Sequence, residues 1–86
     1  MYYVYTLFSK RYHELYKGFT NDLDKRWKEH KKGLVASTRD KRPLDLIFYE
    51  AYKNKEDALN REKYFKTGWG RNYLRNILKN YLKENN

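Results

Sequence analysis

"LDLIFYEAY", residues 44–52, is the strongest strand signal in this 86-residue chain. It is rich in β-branched, aromatic and long aliphatic side chains and follows directly on a proline, Pro43, that closes an irregular basic loop, "LVASTRDKRP". Upstream, "YYVYTLF" (2–8) and "LYKGFT" (15–20) read as two further strands. The polar turn "SKRYHE" between them is short enough to make them an antiparallel hairpin. Asn21, with Asp24 three residues on, is a capping signal for a helix over 22–32, which Gly33 closes. Downstream, Asn54 caps a helix running to about Thr67, and Gly70 precedes a third helix over 71–83 before a fraying "KENN" tail. The order is β-β-α-β-α-α. It predicts a single α+β domain over 1–86, a small three-stranded, mainly antiparallel sheet flanked by helices.

Polar residues fall on faces that such a domain should bury. At about 100° per residue, Ala58, Leu59 and Phe65 form an apolar arc, and Glu62 lies inside it, roughly 40° from Ala58. In the first helix, Leu23 and Trp27 mark the buried side, with His30 about 20° and Arg26 about 60° from Leu23, while Lys25, Lys28, Lys31 and Lys32 face away. Taken singly, His30 could be a satisfied, half-buried histidine, and a salt bridge from Glu62 to Lys66 or Arg26 would explain the charged residues. Two helices of one small core both turning ionisable groups inward is more typical of a site. On the strands, alternation puts Tyr3, Tyr5 and Leu7 on one face, and Tyr16, Gly18 and Thr20 on one face. Gly18 leaves room there for another group, or a backbone phosphate, to come close.

Composition narrows the partner. Twenty Lys and Arg face eleven Asp and Glu, for a net charge of +9, and a surface this basic attracts polyanions, nucleic acid first. Ten tyrosines could fill core, stack bases or present hydroxyl groups. The absence of cysteine excludes disulfides and thiolate zinc sites. "MYYVYTLF" is too short to span a bilayer, which takes roughly 20 apolar residues, and lacks a charged leader, so a soluble cytoplasmic protein with no membrane association is expected.

Taken in order, these segments resemble the GIY-YIG nuclease superfamily. Within it they are similar to small stand-alone proteins related to the N-terminal endonuclease domain of the excinuclease subunit UvrC. "YVY" (Tyr3–Tyr5) stands for the first motif and "YKG" (Tyr16–Gly18) for the second, without the glycine and isoleucine that name the first and with lysine for isoleucine in the second. "TNDLDKRWKEH" matches the helix with the family's arginine and histidine, "STRDKRPLDLIFYE" the basic loop and third strand, and "EDALNREKYFK" the helix bearing the metal-binding glutamate.

The resemblance implies metal-dependent hydrolysis of a DNA phosphodiester, structure-directed or weakly specific, in DNA repair or processing. It places Tyr5, Tyr16, Arg26, His30 and Glu62 at the catalytic site, with Glu62 holding Mg²⁺ or Mn²⁺. Arg26 would neutralise the phosphate. Tyr5 and Tyr16 would supply base and orienting group, with Tyr16 preferred as base and His30 as an alternative proton relay. Lys17, Arg39, Lys41 and Arg42 would contact the phosphate backbone. Asn72 and Asn76 are candidates for a further site residue. Family members commonly take their substrate from an attached domain, and none is read in this sequence. The substrate, a protein partner supplying specificity and the oligomeric state are left open. The rival classes are a catalytically inactive nucleic-acid-binding module of the same fold and a basic RNA-associated domain whose tyrosines stack bases. An inward acid beside phosphates argues for the enzyme, because it repels DNA unless a cation sits on it.

Overall fold

Strand β1 (Tyr2–Ser9) takes the centre of the sheet because it is apolar on both faces: Val4, Tyr5, Thr6, Leu7 and Phe8 are each at most 4 % exposed. In the computed structural model, which describes residues 1–85, β2 (Glu14–Thr20) and β3 (Leu44–Tyr52) flank it in the order β2-β1-β3, both antiparallel to it. The register sets Tyr5 opposite Gly18 on one side and Tyr49 on the other, and a bulge follows Thr6 along β3. The expected β-β-α-β core and three-stranded sheet are thus present, and the sheet, expected to be mainly antiparallel, is wholly so.

Four helices cover the sheet: α1 (Leu23–Lys31), α2 (Lys55–Phe65), α3 (Gly68–Ile77) and α4 (Lys79–Glu84), with a single 3₁₀ turn (Arg39–Lys41) in the basic loop. Helix α1 lies over the Tyr5 side. The opposite face carries Val4, Phe19 and Phe48 against Ala58 and Phe65 of α2 and Leu74 of α3. Full burial of a side chain such as Phe65 or Leu74 stabilises the fold by about 2–3 kcal/mol. Among the described residues no helix is long and apolar enough to cross a membrane.

Three boundaries differ from expectation. The N-cap of α1 is Asp22, not Asn21: its carboxylate accepts the Lys25 N–H at 3.1 Å, while Thr20 Oγ1 receives the Asp22 N–H at 3.1 Å. Gly33 does close this helix, at φ +76°. The second helix ends at Phe65, because Thr67 is already the cap of the next. Its hydroxyl donates to the Tyr64 carbonyl at 2.6 Å and accepts from the Gly70 N–H at 3.1 Å. Gly70 therefore lies inside the first turn of α3, where a Cβ would overlap the Tyr64 carbonyl; its lack of a side chain lets the two helices pack.

The expected single helix over 71–83 is broken at Leu78 (φ −107°, ψ 15°) into α3 and α4. The change of direction lets Tyr81 donate to Asp45 of β3 at 2.5 Å and set its ring edge-on to Phe8, while Leu74 stays in the core. Lys83 and Glu84 of the expected fraying tail are helical, and Asn86 lies outside the described residues.

Candidate active site

The site is built at the free edge of β2, where a cleft of about 460 Å³ opens. Tyr5, Tyr16, Arg26, His30 and Glu62 all line it, together with Lys17, Gly18, Thr38 and Lys66. Four elements deliver the five. The pleat sends Tyr5 and Tyr16 to the same side of the hairpin, α1 brings Arg26 and His30 one turn apart, and α2 brings Glu62 from across the sheet.

Gly18 admits a close approach, and the group that uses it is Tyr5. A Cβ at position 18 would overlap the tyrosine's Oη and Cζ. The Tyr5 hydroxyl then lies 2.9 Å from Nε2 of His30, whose Nδ1 lies 2.7 Å from Oγ1 of Thr38. Tyr5, His30 and Thr38 are each at most 4 % exposed. Two imidazole tautomers satisfy both bonds, but only the one protonated on Nδ1, donating to Thr38, leaves Nε2 free to accept the Tyr5 proton.

Charges in the cleft tune these groups. Burial holds His30 down to about 4, assisted by the Arg26 cation, so the imidazole is neutral at pH 7. Burial pushes Tyr5 above its ordinary value, and the guanidinium of Arg26 pulls only part of that back. Arg26 is held firmly charged by Tyr5 and by Glu29, which accepts from its Nη1 at 3.2 Å. Its carboxylate partner is therefore Glu29, one turn along its own helix, and not Glu62.

Tyr16 sits differently from Tyr5. Its hydroxyl donates to Glu14 at 2.8 Å, and desolvation together with that carboxylate pushes it up to about 12. A phenol held by an anion resists deprotonation, so the geometry shifts the preference for a base from Tyr16 to the Tyr5–His30 pair.

Glu62 does not enter the core as the wheel suggests. Its side chain is 20 % exposed on the wall of the cleft, 3.3 Å from Lys66, one of the two partners its position allows. The buried arc beside it is occupied by Ala58 and Phe65. Among the described residues no group of three or more His, Cys, Asp and Glu side chains gathers to hold a metal. A lone carboxylate facing an open cleft fits a hard cation such as Mg²⁺, which keeps several waters and takes its remaining ligands from a substrate phosphate.

Of the remaining candidates only Lys17 lines the cleft. Lys17 is half-buried in the cleft wall. Arg39 and Arg42 each donate Nε–H to a carbonyl, of Gly33 and Arg39, at 2.9 and 3.0 Å, and the Arg42 guanidinium lies over Gly33. Lys41 stands 4.7 Å above the Tyr12 ring. Asn72 and Asn76 are exposed on α3 and neither lines the cleft.

Two features were not visible in the sequence. Thr38, eight residues after His30, is brought back onto the imidazole by the basic loop, and only its place in "STRDKRP" hinted at a role. Arg61, beside Glu62, turns the other way and grips Glu50 of β3 through Nε and Nη2 at 2.9 and 3.2 Å.

Comparison with known proteins shows the family. The profile of the GIY-YIG catalytic domain matches residues 1–74. The UPF0213 protein CPE1444 of Clostridium perfringens is 40 % identical over 87 aligned residues, covering 100 % of this chain and 92 % of its own. The UPF0213 protein YazA of Bacillus subtilis is 48 % identical over 52 residues, 59 % of this chain and 52 % of its own. A UPF0213 protein of Bacillus pumilus is 45 % identical over 58 residues, 66 % of this chain and 58 % of its own. No solved structure matches.

Proposed function

The chain belongs to the GIY-YIG family of nuclease domains, and from that premise we propose that it is a metal-dependent DNA endonuclease, a stand-alone relative of the UvrC nuclease domain. It hydrolyses a phosphodiester at branched or weakly specified sites during cytoplasmic DNA repair or processing. The observation that carries this reading is the convergence of Tyr5, Tyr16, Arg26, His30 and Glu62, drawn from four separate elements, on one cleft.

Each side chain has a task in the reaction. Arg26 binds the non-bridging oxygens of the scissile phosphate with a permanently charged planar fork. Tyr5 faces the attacking water. As the water's proton passes to the Tyr5 oxygen, the Tyr5 proton passes to Nε2 of His30, and Thr38 holds Nδ1 in the tautomer that permits it. The resulting imidazolium is disfavoured beside Arg26 alone, but the bound phosphate offsets that charge and raises the proton affinity of His30. Tyr16, anchored by Glu14, orients the phosphate rather than accepting the water's proton. Glu62 would hold Mg²⁺ or Mn²⁺, releasing Lys66 as it does so, and the ion would neutralise charge on the phosphate and the leaving oxygen. Lys17, Arg39, Lys41 and Arg42 contact flanking phosphates without reading bases.

The test is incubation with supercoiled plasmid and with flapped or branched DNA, with Mg²⁺ or Mn²⁺ and then with chelator, alongside Glu62→Gln. Nicking that needs the cation and Glu62 is expected. A wild-type protein that binds every DNA and nicks none would mean a binding module of the same fold. Cutting by Glu62→Gln at the wild-type rate would remove Glu62 from the metal site.

A further inference from the structure

Beyond the family match at residues 1–74, the chain continues through the end of α3 and the whole of α4. Cations recur every fourth residue from just inside that match to the end of α4: Arg71, Arg75, Lys79 and Lys83. Within each helix such a pair lies on one face about 6 Å apart. All four are exposed, and none forms an ion pair among the described residues. Arg75, Lys79 and Lys83 line a shallow cleft of about 340 Å³ with His13, Phe8 and Leu82, and no acid lines it. At the other end, Arg71 Nη1 donates to the carbonyl of Lys66 at 3.1 Å, which brings the row to the rim of the catalytic cleft. Lys17 joins the two, half-buried in that cleft. Desolvation first, then the charges of Arg71, Arg75 and Lys66, holds it below its ordinary value.

We propose that the row Arg71, Arg75, Lys79 and Lys83, continued by Lys17 and Lys66, is a phosphate track that guides duplex DNA away from the cleft along α3 and α4. Unpaired like charges gathered on one face are stabilised when counterions or polyanion phosphates sit among them, and duplex DNA supplies about one phosphate per 3.4 Å of each strand. The aliphatic stems and the flanking Phe8 and Leu82 offer no base-reading groups, so the track fixes orientation and not sequence. It rests on the reading of the substrate as DNA, and it places one arm of the duplex on this side of the molecule.

The experiment reads binding, so it does not depend on cleavage. Affinity of the full chain for a 25-base-pair duplex is measured between 50 and 200 mM salt for wild type, for Arg75→Gln/Lys79→Gln/Lys83→Gln, and for a variant of equal charge, Lys53→Gln/Lys55→Gln/Lys63→Gln. The track variant is expected to reduce the log–log salt slope by about 2.7, three contacts at roughly 0.9 each, and the control by less than 1. Circular dichroism melts check that both remain folded. Equal slopes for both variants would reduce the effect to net charge and overturn the track. So would binding to anionic phospholipid vesicles that falls with the track variant while the DNA slope stays at the wild-type value. If wild type binds with the expected slope but never cleaves, the track stands and the nuclease assignment fails.

Discussion

Tyr5 and His30 meet at 2.9 Å, hydroxyl to Nε2, in a place where each side chain is 4 % exposed. Little of either side chain reaches solvent, so in the empty cleft each relies mainly on the other, with Thr38 behind His30, for its hydrogen bonds. Tyr5→Phe strips the imidazole of one bond and should cost about 1–3 kcal/mol of stability while reducing cleavage at least 100-fold. Urea unfolding and plasmid nicking read the two effects. A variant that is destabilised yet cuts normally would make the pair purely structural.

The same burial gives His30 a signature in acid. Its folded value, about 4, lies below the ordinary 6.5, so between those values the unfolded chain binds more protons than the folded one. Stability is therefore full above about pH 6.5 and declines as the pH falls toward 4, by a ceiling of about 3 kcal/mol from this residue. Carboxylates add their own acid dependence, so the informative quantity is a difference. His30→Gln should flatten the change in urea midpoint between pH 7.5 and 4.5, and an unchanged pH dependence would show that the imidazole titrates normally.

Gly18→Ala tests whether the hairpin is shaped around Tyr5. The added methyl would overlap Oη and Cζ of a buried ring, so Tyr5 must move or β2 must separate from β1. A loss of about 1–3 kcal/mol is expected, with a weaker Tyr5–His30 contact. The His30 ring nitrogens, followed by nitrogen NMR, should shift toward values of an imidazole lacking its Tyr5 partner. Wild-type shifts and stability together would mean the site tolerates the methyl and the glycine has no such role.

The strands were legible because β1 is apolar on both faces and β3 carries the strand formers Leu46, Ile47, Phe48 and Tyr49 in succession. The split between α3 and α4 was not, since the helical period passes straight through Leu78 and the break serves a contact to Asp45 that lies 36 residues away. Helix wheels found the inward-turning residues of the site but not their partners. Arg26 chooses Glu29, Tyr16 chooses Glu14, and Thr38 reaches His30 through a loop with no period to read. The wheel also overestimated the burial of Glu62, because it measures angle on a helix and not where the neighbouring strand ends.

Arg61 shows how much of the fold hangs on the residue next to Glu62. Its guanidinium makes a two-point contact with Glu50 and lies 4.6 to 5.1 Å from the ring centroids of Phe65, Tyr73 and Tyr64. Burial pushes the Glu50 carboxyl up, but hydrogen bonds from Arg61 and Tyr52 overcome it and hold the group ionised. Arg61→Ala strands that charge in a partly buried place and should cost about 2–3 kcal/mol. Lysine should restore little of it, because it lacks the planar fork and stacks poorly on rings. Full rescue by Arg61→Lys in thermal melts would mean that charge alone matters.

Glu62 should behave in the opposite way. Its contact with Lys66 is a one-turn ion pair with a lysine that is 57 % exposed, and such pairs are worth about 0.5 kcal/mol. Glu62→Gln should therefore leave the melting temperature within a degree or two of wild type while abolishing cation-dependent nicking. Lys66→Gln separates the two roles of the carboxylate. If Glu62 serves mainly the helix, both substitutions should destabilise equally and affect cleavage only through folding. If it serves the cation, Lys66→Gln frees the carboxylate from a competing ammonium and should lower the Mg²⁺ concentration needed for half-maximal cutting, whereas Glu62→Gln should fail to cut at any concentration. A magnesium titration of the three proteins at constant ionic strength decides between them, and identical midpoints for wild type and Lys66→Gln would show that the lysine does not compete for the site.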